Sequence, residues 1–345
     1  MSVSQLSKVF RTFAERECTG SSPLYEYLSL KIADDSELIA LASHAKQGQP
    51  IPNLLFGAVH FLLLTGKDHK LKEFYPSIVD NPSSVRDSFP YFKDFCLNHS
   101  SEIKDMIQNK LVQTNEVRRC AYLFPVFQYI FDTVHKPLAQ IEIGTSAGLQ
   151  LLWDKYSYSY GSNEIYGNRN ADVHLYSIIK KGKMPFLKDN IPPVANRIGV
   201  DLHTVDLKKE TEYLWLNALI WPEHHERRVL FQKASRCVKE NHLTLIDGDG
   251  VELLPNLTEN ISNDYCICVF HTHVANQMPE DAVNKLLHHV KMIGENREIF
   301  HIYNNIEDRD LHLQYYVDGT EYVKRIGQTD GHGRWFTWEL PKRIL

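Results

Sequence analysis

The run Glu142-Ile143-Gly144-Thr145-Ser146-Ala147-Gly148 concentrates residue types that can do chemistry. In one reading Gly144 to Gly148 form a G-x-S-x-G elbow, a strained strand-to-helix turn that exposes a serine nucleophile, here Ser146. In another, the glycines tighten the turn and the next helix offers free N–H groups to a carboxylate or other modest anion. A dinucleotide fingerprint needs glycine where Ser146 stands, so close packing of a pyrophosphate is not expected. His271 and His273, in Val269-Phe270-His271-Thr272-His273, are candidate general bases because imidazole titrates near neutrality. In an extended strand they share one face, with Cys266 and Cys268 on the other, so a single Cys/His zinc site is not expected from this stretch. Asp247-Gly248-Asp249 fails the calcium-loop pattern a few residues on, and no metal is expected. Asn115, Glu116 and Arg119 head an apolar helix, where Arg119 can hold a substrate carboxylate or phosphate.

These residues need strands and helices to place them. Residues 1–135 carry helical spacing throughout, as in Ser36 to Gln47 and Val117 to Phe131, and are read as a helical N-terminal cap domain. From 136 to 345 short β-rich runs alternate with helical ones. Strands are predicted over 138–144, 195–202, 242–248, 265–271 and 298–304, with helices over 211–221, 227–240 and 279–293. Strand and helix in alternation imply crossovers and a mostly parallel sheet covered on both faces, an α/β fold. Runs 311–319, 321–327 and 334–340 follow without helices and predict an antiparallel C-terminal edge on that sheet. The Tyr-, Asn- and Gly-rich segment 154–193 reads as an insertion.

Open parallel sheets bind ligands beyond the carboxyl ends of their strands. Four predicted strands end in Gly144 to Gly148, Asp201, Asp247-Gly248-Asp249 and His271-Thr272-His273. Chain order also permits a triad of Ser146, Asp249 and His271 or His332. A hydrolase elbow, however, follows several strands, and this one follows the first.

With 345 residues, 43% hydrophobic and 23% charged, the chain can bury substantial cores. A formal charge of −5 gives no reason to expect a nucleic-acid partner. The run Leu54 to Leu64 is shorter than the roughly 20 residues of a membrane span and contains His60, so a buried core helix is expected and no membrane association. The N-terminus reads as an amphipathic helix with Leu6, Val9, Phe10 and Phe13 on one face, not an export signal. Six scattered cysteines fit a reducing, cytoplasmic compartment. Nothing in the sequence fixes an oligomeric state.

Glu142 to Gly148 resembles motif I of class I S-adenosylmethionine-dependent methyltransferases. The spacing to Gly199-Val200-Asp201-Leu202, to 247–255 and to 268–281 is similar to their later motifs. The strings 114–120, 197–202, 221–223, 248–255, 269–274 and 332–335 together resemble a bacterial domain-of-unknown-function family, numbered 2332. The methyltransferase resemblance implies a Rossmann-like domain with S-adenosylmethionine as cofactor and methyl transfer to the O or N of a small-molecule substrate. It implies that Gly144, Thr145, Ser146 and Gly148 lie against the methionine part, with Glu142 near its ammonium end. Asp201 would take the ribose hydroxyls, and Asp249, beside Gly248, the adenine amino group, with Val251 as an apolar wall. Asp201 lies well beyond the roughly 20 residues expected after a Gly-rich turn. Either 154–193 is an insertion, or Glu164 or Asp172 takes the ribose position. Asn115, Glu116, Arg119 and Trp335 are expected on the substrate side. Two alternatives stay open: a non-catalytic module binding a nucleoside-like ligand or a protein, and a serine hydrolase using Ser146.

Overall fold

The computed structural model describes residues 2–341 apart from Lys183, Phe186 and Asp189, so these three positions of the 154–193 segment lie outside the described residues. The α-helices are α1 (Val3–Phe13), α2 (Pro23–Ile32), α3 (Ser36–Ala42), α4 (Ile51–Leu64), α5 (Ser88–Asn98), α6 (Ser100–Asn109), α7 (Cys120–Val134), α8 (Glu210–Ala218), α9 (His225–Glu240), α10 (Gly250–Glu259) and α11 (Glu280–Gly294). The strands are β1 (Leu138–Ile143), β2 (Ser157–Ser159), β3 (Tyr166–Gly167), β4 (His174–Tyr176), β5 (Ile178–Gly182), β6 (Val194–Asp201), β7 (Thr244–Asp247), β8 (Cys266–Phe270), β9 (Ile299–Tyr303), β10 (Leu311–Val317), β11 (Thr320–Gly327) and β12 (Trp335–Trp338). The chain divides into two compact units, Met1–Thr114 with Lys208–Gln232, and Asn115–Leu207 with Lys233–Leu345.

The first unit is helical. α1 opens on a capping box in which the Ser2 hydroxyl accepts the Gln5 N–H and the Gln5 side chain accepts the Ser2 N–H. It buries Leu6, Phe10 and Phe13, while Val9 is only half-buried. The apolar run around Leu54 is α4, buried on almost every side, as a core helix must be. No helix among the described residues is long and apolar enough to cross a membrane. Residues 208–232 complete this unit from far along the chain. A Cβ at Gly57 of α4 would lie 2.9 Å from Leu219 and 3.4 Å from Trp215, so glycine permits the close approach. The Glu223 carboxylate accepts from the Ser22 hydroxyl and the Leu24 N–H at the start of α2.

The second unit is built on a seven-stranded sheet of order β11-β10-β9-β8-β1-β6-β7. β7, β6, β1, β8 and β9 are mutually parallel, and β10 and β11 add an antiparallel edge. β1 is central and buried along its whole length, as parallel strands covered on both faces are. Its Ala139, Ile141 and Ile143 pack with Val251 and Leu254 of α10 and Leu286 and Val290 of α11. Alternation sends Gln140 and Glu142 to the opposite face. On the other side Phe127 of α7 stacks on Trp153, ring centroids 4.6 Å apart, and meets Phe270 edge-on at 5.4 Å. α7 therefore packs on the face of the sheet within the same unit.

Three expectations are corrected here. β12 is not a full strand of the antiparallel edge: it pairs in parallel with β5 in a separate two-stranded sheet, and meets the end of β11 only through a short antiparallel run in which Thr337 and Glu339 donate to the Gln328 and Ile326 carbonyls at 2.9 and 2.8 Å. No α-helix follows Gly148: Leu149–Lys155 is a 3-10 run broken at Leu152, where φ is −103° and ψ 20°. The strand carrying Cys266 and Cys268 ends at Phe270, so strand alternation does not place His271 and His273 on a shared face. The 154–193 segment contributes β2, β3 and β4 to a small three-stranded sheet and β5 to the pair with β12.

Candidate functional site

Numbered by chain order within the parallel part, the sheet runs 3-2-1-4-5, so connections diverge in opposite directions from β1 and β8. That reversal opens the crevice in which doubly wound sheets take ligands. The loops after both strands meet there: a Cβ at Gly144, whose φ is +75°, would lie 2.4 Å from a Val274 methyl group. Only glycine fits both the left-handed backbone and the space.

The Gly144 to Gly148 turn spends its N–H groups on the protein. Gly144 and Thr145 donate to the Val200 carbonyl at 2.8 and 3.2 Å. Ser146, at φ +49°, donates to Asp201 Oδ2 at 2.8 Å, and Ala147 to Asn115 Oδ1 at 3.3 Å. Gly148 donates to the Thr145 carbonyl at 2.9 Å. The expected anion cradle of free N–H groups is therefore not formed by these five residues. The N–H that a serine hydrolase would aim at its oxyanion, that of Ala147, is likewise taken, and the Ser146 hydroxyl accepts from Asn115 Nδ2 at 2.8 Å.

Beneath the turn lies Glu142, 3% exposed. Its Oε2 accepts from the Thr145 hydroxyl at 2.7 Å. Burial, and then the nearby negative Asp201, push its carboxyl up to about 8, against the pull of Thr145 and Arg119. Asp201 bridges backbone: Oδ2 holds Ser146 and Oδ1 accepts the His203 N–H at 3.0 Å. Glu164 accepts from the Tyr166 hydroxyl, and Asp172 pairs with Arg236 at 2.7 Å, so of the three ribose candidates Asp201 is the one joined to the turn. Asp249 caps α10, its Oδ1 accepting from Val251 and Glu252 at 2.8 and 3.3 Å. Val251 is buried in the core beside Ile143 and Leu254, and Gly248 donates to the Asp201 carbonyl at 2.8 Å.

On the β8 side Arg119 is buried and directs Nε to the Gly331 carbonyl (2.9 Å) and Nη1 to the Thr272 carbonyl and hydroxyl (both 3.2 Å). Glu116, also buried, has its Oε2 3.2 Å from His332 Nδ1. His271 is fully buried, with Nε2 3.1 Å from His301 Nε2 and Nδ1 without a partner. His273, at φ +58°, donates its backbone N–H to Asn304 Oδ1 at 2.7 Å. Its ring nitrogens lie 3.4 Å from the amide nitrogens of Asn304 and Asn305. Burial, then Arg119 and His332, lower its imidazole to about 4, so the ring is neutral at ordinary pH. Trp335 opens β12, with the Lys180 ammonium 4.0 Å over its ring.

The structure thus joins Asn115, Ser146 and Asp201 in one network and Arg119, Thr272 and Gly331 in another, and Arg119 acts electrostatically on both Glu142 and His273. Asn304 and Asn305 were not among the expected residues. They follow β9, and the strand-end rule that picked out Asp201 and Asp249 reaches them too.

Fold and site define an α/β protein with a mostly parallel sheet and a polar cluster where the strand order reverses. Over residues 7–338 the chain matches a family described as an uncharacterized protein conserved in bacteria (DUF2332), and it belongs to that family. No curated protein and no solved structure gives a significant match to it.

Proposed function

We propose that the second unit is a Rossmann-like, methyltransferase-type domain that binds S-adenosylmethionine and directs methyl transfer to the O or N of a small-molecule acceptor, in the cytoplasm. The observation that carries this reading is Glu142: a buried carboxyl without an ion-pair partner among the described residues, under a glycine turn at the strand-order reversal. With the turn's N–H groups already bonded, a phosphate is poorly served and a ligand ammonium is well served. When bound, S-adenosylmethionine supplies a methyl group made electrophilic by the sulfonium.

The protein's own part is to bind and align. Glu142 faces the ammonium. The second oxygen of Asp249 and the open lone pairs of Asp201 accept from the base and the ribose, and Arg119 with Asn115, Glu116 and Trp335 serves the acceptor side. The neutral ring of His273 accepts a hydrogen bond from the acceptor group; with its imidazole lowered to about 4 it does not keep the proton the acceptor loses, which passes on to solvent. Alignment carries most of the acceleration. Calorimetric titration of the purified protein with S-adenosylmethionine and S-adenosylhomocysteine tests the reading, and folded protein that binds neither sinks it.

A second reading, a ligand-binding module without methyl transfer, is favoured by His271. This candidate base is fully buried against His301, where it cannot meet an acceptor. Binding of the nucleoside ligand with no turnover across hydroxyl and amine acceptors supports that reading instead.

A further inference from the structure

We infer that Glu142 is a neutral acid in the ligand-free protein and surrenders its proton when a ligand ammonium docks beside it, so that the site selects cationic ligands by exchanging them for a proton. This rests on the nucleoside-ligand reading above and adds to it the property that decides which ligands enter.

The pairing of Glu142 is built into the sheet. In register across β1, Glu142 stands between Gly199 of β6 and Phe270 of β8, neither of which has a side chain able to donate to it. Gly199 leaves the room in which Thr145 reaches Glu142: a Cβ there would lie 2.6 Å from the Thr145 hydroxyl oxygen. That hydroxyl gives Glu142 its one hydrogen bond among the described residues. A single neutral donor does not stabilise a buried carboxylate against the loss of water.

The charged neighbours do not reverse this. Asp201, at the end of β6, is negative and favours the acid form. Arg119 favours the carboxylate, but its bonds go to carbonyls and the Thr272 hydroxyl rather than to Glu142. Cys120 of α7 and Tyr156, which also interact with Glu142, are themselves held in their neutral forms by burial. With its carboxyl pushed up to about 8, Glu142 is mostly protonated near pH 7. An arriving ammonium supplies the missing counter-charge. The O–H bond of Glu142 breaks, the proton passes to solvent, and a carboxylate–ammonium pair remains.

Two measurements test this. Infrared difference spectroscopy of protein labelled with carbon-13 at glutamate carboxyls, wild type against Glu142→Gln, reports the ligand-free state near pH 7. Calorimetry in buffers of different ionisation enthalpy counts protons released on binding. The probes are S-adenosylhomocysteine, which carries an ammonium, and 5′-methylthioadenosine, which does not. The expected result is a protonated carboxyl in the ligand-free protein and release of up to one proton per S-adenosylhomocysteine near pH 7. No release is expected with 5′-methylthioadenosine or in Glu142→Gln, whose affinity for S-adenosylhomocysteine falls about tenfold while that for 5′-methylthioadenosine is unchanged. An ionised Glu142 in the ligand-free protein overturns the inference whether or not a ligand binds. Binding of S-adenosylhomocysteine without proton release overturns it while leaving the cofactor reading intact. A protonated Glu142 with no binding of either probe removes the cofactor reading, and the exchange with it.

Discussion

Asp249 shows how one carboxylate can serve structure and ligand together. Its Oδ1 caps α10, so Asp249→Ala is expected to lower stability by about 1 kcal/mol whatever binds nearby. Asp249→Asn keeps a capping oxygen and should melt like the wild type. If the second carboxylate oxygen also accepts from a ligand amino group, both variants lose about 1 to 3 kcal/mol of S-adenosylhomocysteine affinity. Calorimetry on the Asn variant separates the roles, and wild-type affinity there leaves Asp249 as a cap alone. Glu142 carries a pH signature of its own. Its carboxyl is raised in the folded state, so its contribution is fully present below about pH 4.5 and lost as pH rises through about 8. Glu142→Gln should therefore gain melting temperature over the wild type at alkaline pH and little in acid. Both residues were legible in the sequence as strand-end or motif acids. The network around the turn was not, because its Asn115–Ser146 and Ser146–Asp201 bonds join residues 31 and 55 positions apart, beyond the reach of any local pattern.

At the scale of elements, the turn between β1 and the 3-10 run depends on glycine. Gly144→Ala adds a methyl group to a left-handed backbone and drives it against Val274, and should cost about 1 kcal/mol or more in a denaturant titration. Asn115→Ala, which removes the side chain linking Ser146 and Ala147, should weaken ligand binding more than it lowers stability; an unchanged affinity would show that the network only braces the turn. Period and alternation located β1 and β6 to β11 within a residue or two, since each is a short β-rich run bounded by turn residues or by a change to helical spacing. They could not find the parallel partner of β12: alternation marks a strand but not its partner, and β5 lies within the Tyr-rich segment. Nor could they foresee the 3-10 run, because Leu149 to Trp153 is apolar enough for a helix. There tertiary packing prevails, with Trp153 stacked on Phe127 and Phe124 nearby.

Across the whole molecule several histidines are kept neutral by burial. His60, in the first unit, has Nδ1 2.9 Å from the Ala218 carbonyl and Nε2 2.8 Å from the Ser77 hydroxyl, and burial followed by Arg228 lowers it to about 3. In the second unit burial lowers His301 to about 4 and His271 well below its ordinary value, and His273 joins them. Unfolded, these rings take up protons near pH 6.5; folded, they do not. Their contribution is thus full above about pH 6.5 and declines as pH falls toward their folded values, opposite in sign to that of Glu142. Thermal melts should show stability dropping between about pH 6.5 and 4, and His60→Gln should flatten part of that slope. Composition and periodicity made the α/β class and the helical first half readable. The return of residues 208–232 to the helical unit was not, since it rests on contacts such as Glu223 with Ser22, far apart in the chain. The most direct measurement is calorimetric titration of the intact chain with S-adenosylmethionine. Saturable binding at one site per chain, weakened by Asp249→Asn, is the predicted result; a folded protein that gives no binding signal for S-adenosylmethionine or S-adenosylhomocysteine contradicts it.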